Sequence, residues 1–306
     1  MANECEALLE KWKIIHADNR QSKTPPEFLY HYTDVHGLHG IAFNPRELWL
    51  SDFRSTNDPT EGRHALMLLE QGIKEYLPVT ATSALSHVFH APLGEWNELF
   101  RIMDSLDRRF FTSFSESENE LSQWVHYGAH GAGYCIGMRS ESLLKQTITL
   151  EEHTLTPRLI PVEYSKDVQE ATTNQFLKEI AGCYTKHQPI LCIHERAISV
   201  MYQCFENLLR WFARAYALEF KNSHFSSERE WRYVVEFSPV DWNMTIPMKT
   251  RVKSTGIMWY IPIACIPQSI KAGPRVDYEQ FRAACAPLLL GTLNGIPLSQ
   301  SDIPLR

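Results

Sequence analysis

The sequence predicts an α+β fold, a mixed or antiparallel sheet core with flanking helices and a helical insertion. Three observations carry this. Short runs rich in aromatic and β-branched residues, such as "FLYHYT", "RRFFTSF" and "WRYVVEF", are bounded by turn-formers and read as strands. Ala197, Met201, Cys204, Leu208, Trp211, Ala215 and Leu218 recur at three- and four-residue spacing, the apolar stripe of a helix. No internal repeat, low-complexity tract or clear linker divides the chain. The simplest organisation is a helical extension at 1–24 and one α+β domain at 25–306, with the helical insertion at about 172–220.

The elements follow in order. Leu8, Leu9, Trp12 and Ile15 give residues 4–16 a helical rhythm, which Pro25 and Pro26 end. "FLYHYT" is a strand, and "DVHGLHGIAF" a short helix capped by Asp34. "ELWLSD" is a second strand. "NDPTEGRHALMLLEQGIKEY" is a helix with Asp58 as cap, Pro59 in the first turn and Glu61 at the capping-box position. Residues 77–94 are irregular or weakly helical, and a helix follows near Gly94 to Leu106. "RRFFTSFSES" is a strand. "ELSQWVHYGAHGAGYCIGM" is a helix, a glycine-rich turn and a strand, and "LIPVEY" is another strand. The region from about Thr172 to Phe220 is helical, "WRYVVEF" is a strand, and "WYIPIACI" and "SIKAG" are two more. "DYEQFRAACAPLLL" closes the fold as a helix.

Composition narrows the function. The 306 residues are 44% hydrophobic and 22% charged, so a sizeable core can form. A net charge of -6 is no nucleic-acid footprint. The 7 cysteines form no C-x-x-C pair, which fits reduced thiols in a cytoplasm. "MANECEALLEKWKII" has no signal-peptide core, and the apolar stretch from Gly256 to Pro267 is too short to span a bilayer and is broken by Pro262. The expected location is cytoplasmic, with no membrane partner.

Each motif has a structural and a chemical reading. His31 sits in a strand between two tyrosines, either as a satisfied, half-buried histidine or as a donor to a sugar hydroxyl. The spacing of His31, His36 and His39 matches no established metal-ligand pattern, so no metal is expected. Arg54 and Asn57 precede a helix start and could face a ligand. Ser113 and Ser115 are strand serines, of a type that can hold a carboxylate in place. Trp124 and Tyr127 lie three apart on one helical face, as core or as pocket wall. The glycines Gly128, Gly131 and Gly133 lack both the Walker lysine and the dinucleotide-fold spacing, and more simply let a helix pack close to a strand. "SEREW" places Glu228 and Glu230 on one face if the strand has begun, so the carboxylates repel unless Arg229, Arg232 or a ligand intervenes. It reads either as a solvated strand end or as a catalytic carboxylate on a rigid element.

Taken in order, "LYHYTDVHGLHGI", "ELWLSD", "NDPTEGR", "FFTSFSE", "WVHYGAHGAGYCIGM", "VEY", "SEREWR" and "SIKAGPR" resemble the bacterial family DUF2971, over residues 28 to 276. The opening also looks like the first strand and helix of ADP-ribosyltransferase folds. In that superfamily three core strands supply His or Arg, Ser or Tyr, and Glu, and several members carry Glu-x-Glu. The resemblance implies an ADP-ribosyltransferase-like split sheet. It also implies a site of His31, Ser113 or Ser115, and Glu230, with Glu228 as the outer acid.

The implied activity is NAD-consuming ADP-ribosyl transfer or NAD hydrolysis, of the kind bacterial toxins and anti-phage effectors use. NAD is the substrate and no metal is needed. Glu230 would face the developing ribose cation, Ser113 would orient it, His31 would hold the nucleotide ribose, and Glu228 would serve the acceptor. Tyr30, Tyr32, Thr33, Arg54, Asn57, Trp124 and Tyr127 would line the dinucleotide site. The acceptor is water, a protein or a nucleic acid, and a partner protein or homo-oligomer stays open. The alternative is a non-catalytic nucleotide-sensing or nucleic-acid-processing module on the same fold. His31 and Glu230 are expected to open onto one pocket, and strand-end carboxylates at Glu228 and Glu230 to contribute little to stability.

Overall fold

The apolar rhythm of the first residues forms helix α1 (Ala2–Gln21), which buries Cys5, Trp12 and His16 along one side. The computed structural model describes residues 2–53, 62–76, 108–150, 153–191, 195–237, 248–253, 256–291 and 294–305. The cap expected at Asp58, the candidate contacts Arg54 and Asn57, and the segments expected at 77–94 and 94–106 lie outside them. The fold is α+β. The chain divides into two compact units, one of Met1–Thr24, Asp58–Leu106 and Val162–Ser223, the other of Pro25–Asn57, Asp107–Pro161 and His224–Arg306. The stretches 1–24 and 172–220 thus fall in the same unit.

The first unit is helical. Helix α1 is joined by α3 (Arg63–Tyr76), α6 (Lys166–Leu191) and α7 (Glu195–Ala217). Its core is an aromatic column. Trp12 meets Phe176 edge-on at 5.2 Å, Phe176 stacks on Phe212 at 4.4 Å, and Tyr216 and Phe220 continue the series. Met201 and Leu208 are buried as the spacing on α7 requires. Trp211 is only half-buried against this core, and the next residue, Phe212, takes the buried position. Helix α6 begins six residues before the expected start (Lys166 rather than Thr172), because "LIPVEY" yields strand only to Pro161. Beyond it, Glu163 makes an isolated bridge to Phe220.

The second unit carries the sheet. The strands are β1 (Phe28–Thr33), β2 (Glu47–Asp52), β3 (Arg108–Ser115), β4 (Tyr134–Arg139), β7 (Arg158–Pro161), β8 (Glu230–Phe237), β9 (Lys249–Lys253), β10 (Gly256–Ala264), β11 (Ser269–Ala272) and β12 (Leu298–Gln300). Their order is β12-β11-β4-β1-β3-β2-β10-β9, with β8 on β3 and β7 on β8. The β11–β12 pair is parallel and every other pair antiparallel. A separate hairpin, β5 (Ile148–Leu150) and β6 (His153–Leu155), has no counterpart in the sequence reading. Short helices α2 (Val35–Leu38), α4 (Leu121–His126) and α5 (Ser140–Leu144) punctuate the strands, and α8 (Tyr278–Leu289) follows β11. Asp34 caps α2 as expected, its side chain accepting from the Gly37 amide at 2.8 Å. One face of the sheet buries Leu29, Phe110, Phe114, Ile136, Tyr233 and Ile261 in a single core.

Candidate functional site

Strand β3 is the pivot, because two strands share one of its edges. Strand β8 pairs with it along its whole length, from Arg108↔Phe237 to Ser115↔Glu230. On the other edge, among the described residues, β2 pairs with Phe110 and Phe111 and β1 with Ser115. Between them the ladder has a notch at Ser113. The Glu116 amide donates to the Arg229 carbonyl on the β8 side, so by alternation the Ser113 carbonyl faces the notch. The His31 ring takes it there, with Nδ1 2.9 Å from the Ser113 oxygen. A carbonyl only accepts, so Nδ1 carries the proton and Nε2 is the acceptor of the neutral ring. Burial pushes the His31 pKa below its ordinary value, against the upward pull of that carbonyl.

The Ser113 side chain points to β8. Its hydroxyl donates to Glu230 Oε1 at 2.5 Å, the short range of a hydrogen bond to a carboxylate. Arg232 Nε donates to the same oxygen at 2.9 Å, and its Nη2 lies 3.4 Å from Oε2. Glu230 and Arg232 are two apart on a strand and so share a face. Both are buried, at 5% and 0% exposure, and the guanidinium lies 5.3 Å from the centre of the Phe111 ring. His31, by contrast, alternates onto the face of Leu29, its ring edge-on to Phe114 at 5.8 Å. The expectation that His31 and Glu230 open onto one pocket is therefore corrected: strand alternation puts the two side chains on opposite faces of the sheet, linked only through Ser113, by its main chain to one and its side chain to the other.

Glu228 corrects the paired-carboxylate reading. It ends a 3-10 turn, Ser223–Glu228, and Arg229 is left-handed with φ 45°. The strand starts only at Glu230, so period-two alternation does not hold across "SERE". Each carboxylate has its own partners. Tyr127 donates to Glu228 Oε1 at 3.1 Å, while Ser115 Oγ donates to the Glu228 carbonyl at 2.7 Å. Glu230 meets the Arg232 guanidinium and Glu228 the Tyr127 hydroxyl, so the two carboxylates are not a stacked pair on one strand face.

The expected aromatic contacts are divided. Trp124 is fully buried, edge-on to Tyr32 at 4.9 Å, with its indole N–H on Asn119 Oδ1 at 2.9 Å. Tyr32 is also buried, donating to the Ser117 carbonyl and accepting from the Glu120 amide. These two rings are packing, and Tyr30 is half-buried beside them. Tyr127 is 46% exposed beside Glu228. Thr33 ends β1, and its carbonyl lies 2.3 Å from where a Cβ on Gly133 would stand, so the glycine turn does let backbone segments pack closely. A cavity of about 320 Å³ lies elsewhere in this unit, lined by Leu38, Phe43, Tyr134 and Phe281 among others, and includes neither His31 nor Glu230.

With this geometry in hand, comparison with known proteins adds one finding. Residues 123–233 match the family described as "Protein of unknown function (DUF2971)". That span includes Trp124, Tyr127, Glu228 and Glu230, and is narrower than the 28 to 276 of the motif resemblance. No curated protein and no solved structure matches the chain. Among the described residues no helix is long and apolar enough to cross a membrane.

Proposed function

We propose that this protein consumes NAD, as an ADP-ribosyltransferase or NAD glycohydrolase on an ADP-ribosyltransferase-like sheet. The observation that carries this is the relay across three neighbouring strands: His31 on the Ser113 carbonyl, and the Ser113 hydroxyl on Glu230. In the reaction the nicotinamide–ribose bond breaks, its electron pair leaves with nicotinamide, and water or another acceptor adds to the ribose and loses a proton. The transition state resembles an oxocarbenium ion, so a fixed anion beside the ribose stabilises it. Glu230 supplies the anion, Ser113 and Arg232 hold it in one orientation, and His31, from the other face of the sheet, fixes the Ser113 main chain that positions it. Glu228, with Tyr127, serves the acceptor.

One observation favours a second reading. Glu230 is almost fully buried and its charge is matched by Arg232, as in a purely structural ion pair. A nucleotide-sensing or nucleic-acid-processing module without NAD cleavage would keep the same architecture. Nicotinamide release from NAD by the pure protein decides between them. Ser113→Ala and Glu230→Gln should each lower turnover by about 100-fold, with much less change in KM. Glu228→Gln should lower transfer to an acceptor and spare hydrolysis. Calorimetry should rank NAD or ADP-ribose above ATP. A folded wild-type protein that binds NAD and releases no nicotinamide would establish the second reading.

A further inference from the structure

The helical unit contains a cluster that the nucleotide reading does not use. Cys183 and His187 are four apart on α6 and so share its face. The first turn of α1 brings Glu4 and Cys5 to them. A carboxylate oxygen of Glu4, the Cys183 sulfur and a His187 ring nitrogen all lie within 4.8 Å of one another. Glu4 Oε2 is 2.7 Å from His187 Nε2, and the Cys5 sulfur is 3.9 Å from that of Cys183. Cys5, Cys183 and His187 are buried.

We propose that Glu4, Cys5, Cys183 and His187 form a binding site for one zinc-type divalent cation, joining the first turn of α1 to α6. Two sulfurs on one tetrahedral zinc, each about 2.3 Å from the metal, stand roughly 3.8 Å apart. The two cysteines already hold that separation. A carboxylate–imidazole hydrogen bond needs no thiols beside it. A mixed sulfur, nitrogen and oxygen donor set does, and it selects zinc-like ions over magnesium or calcium. Loading releases the two thiol protons to solvent, and the Nε2 proton that faces Glu4 passes by way of solvent to Nδ1, leaving the Nε2 lone pair of a neutral imidazole for the ion. Lys186, 2.6 Å from Glu4 Oε1, stays in place. Its ammonium and the divalent ion balance two thiolates and one carboxylate, with the imidazole neutral. The site is independent of NAD chemistry.

The test is a cobalt titration of the full-length, metal-free, reduced protein. One Co²⁺ per chain should bind with thiolate charge-transfer bands and a tetrahedral ligand-field spectrum, and zinc should displace it. Cys183→Ser and His187→Gln should each weaken binding by more than the roughly 10–100-fold that loss of an outer partner costs. Zinc should raise the thermal midpoint of wild type and leave that of Cys183→Ser unmoved. A readout on wild type alone guards against misfolded variants: zinc should protect Cys5 and Cys183 from alkylation, scored by peptide mass spectrometry. A spectrum without thiolate bands, unaltered binding in both variants, or unprotected Cys5 and Cys183 would each overturn the site.

Discussion

Glu230 shows how far one side chain's environment departs from its place in the sequence. As a strand-end carboxylate it is expected to add little to stability. In the fold it is buried against Arg232 and Ser113. Removing one partner of a buried ion pair leaves the other uncompensated, at a cost of about 3–5 kcal/mol. Glu230→Gln keeps an acceptor for Ser113 and strands the Arg232 charge, so it should lose on the order of 3 kcal/mol in urea unfolding. Glu228 is buried too, but Gln there keeps an acceptor for Tyr127, so Glu228→Gln should lose less than Glu230→Gln. Equal losses in the two would contradict the assignment. His31 gives a pH signature. Its folded pKa is lowered, chiefly by burial, from the ordinary 6.5. Below that value the unfolded chain takes up a proton that the folded ring resists, so the stability tied to a neutral His31 is complete above it and is lost as pH falls. The gap in unfolding free energy between wild type and His31→Gln should be flat above about pH 7.5 and shrink from there towards pH 5. A constant gap over that range would refute it.

At the scale of elements, two glycines test the packing. A Cβ on Gly133 would lie 2.3 Å from the Thr33 carbonyl and 2.8 Å from the Gly128 backbone. Backbone cannot swing aside as a side chain can. Gly133→Ala should therefore cost about 1–3 kcal/mol, as overpacking does. Gly182, inside α6, has nothing within 4 Å of such a Cβ. There helix propensity decides, and Gly182→Ala should stabilise by up to about 1 kcal/mol. Thermal unfolding of the two variants should move in opposite directions. Strands β1, β3, β4 and β8 are legible in advance because runs of β-formers with clear punctuation are local signals. The β5–β6 hairpin is not, since three-residue strands carry too little periodicity to read. The end of "LIPVEY" is missed because pairing to β8 stops at Pro161, where strand propensity continues.

For the molecule as a whole, local pattern suffices for the class: α+β, with a long amphipathic helical region and several strands rich in β-formers. Propensity and period act over a few residues, so a single chain carries that information openly. Local chemistry left His31, Ser113, Ser115 and Glu230 as ordinary strand residues; a family resemblance was what drew them together, with Ser113 or Ser115 left open. Long-range packing was needed to divide one edge of β3 between β1 and β2, to bring an imidazole to the Ser113 carbonyl and to pair Arg232 with Glu230. It alone brought Glu4 and Cys5 to Cys183 and His187. Strand order and helix docking are settled by contacts between residues far apart in the chain, where burial of a shared core outweighs the entropy of closing the intervening loops. No local pattern encodes that balance. Even within "SERE" it prevailed: the left-handed turn at Arg229 that leads into β8 sets the two glutamates apart, where alternation alone would have paired them.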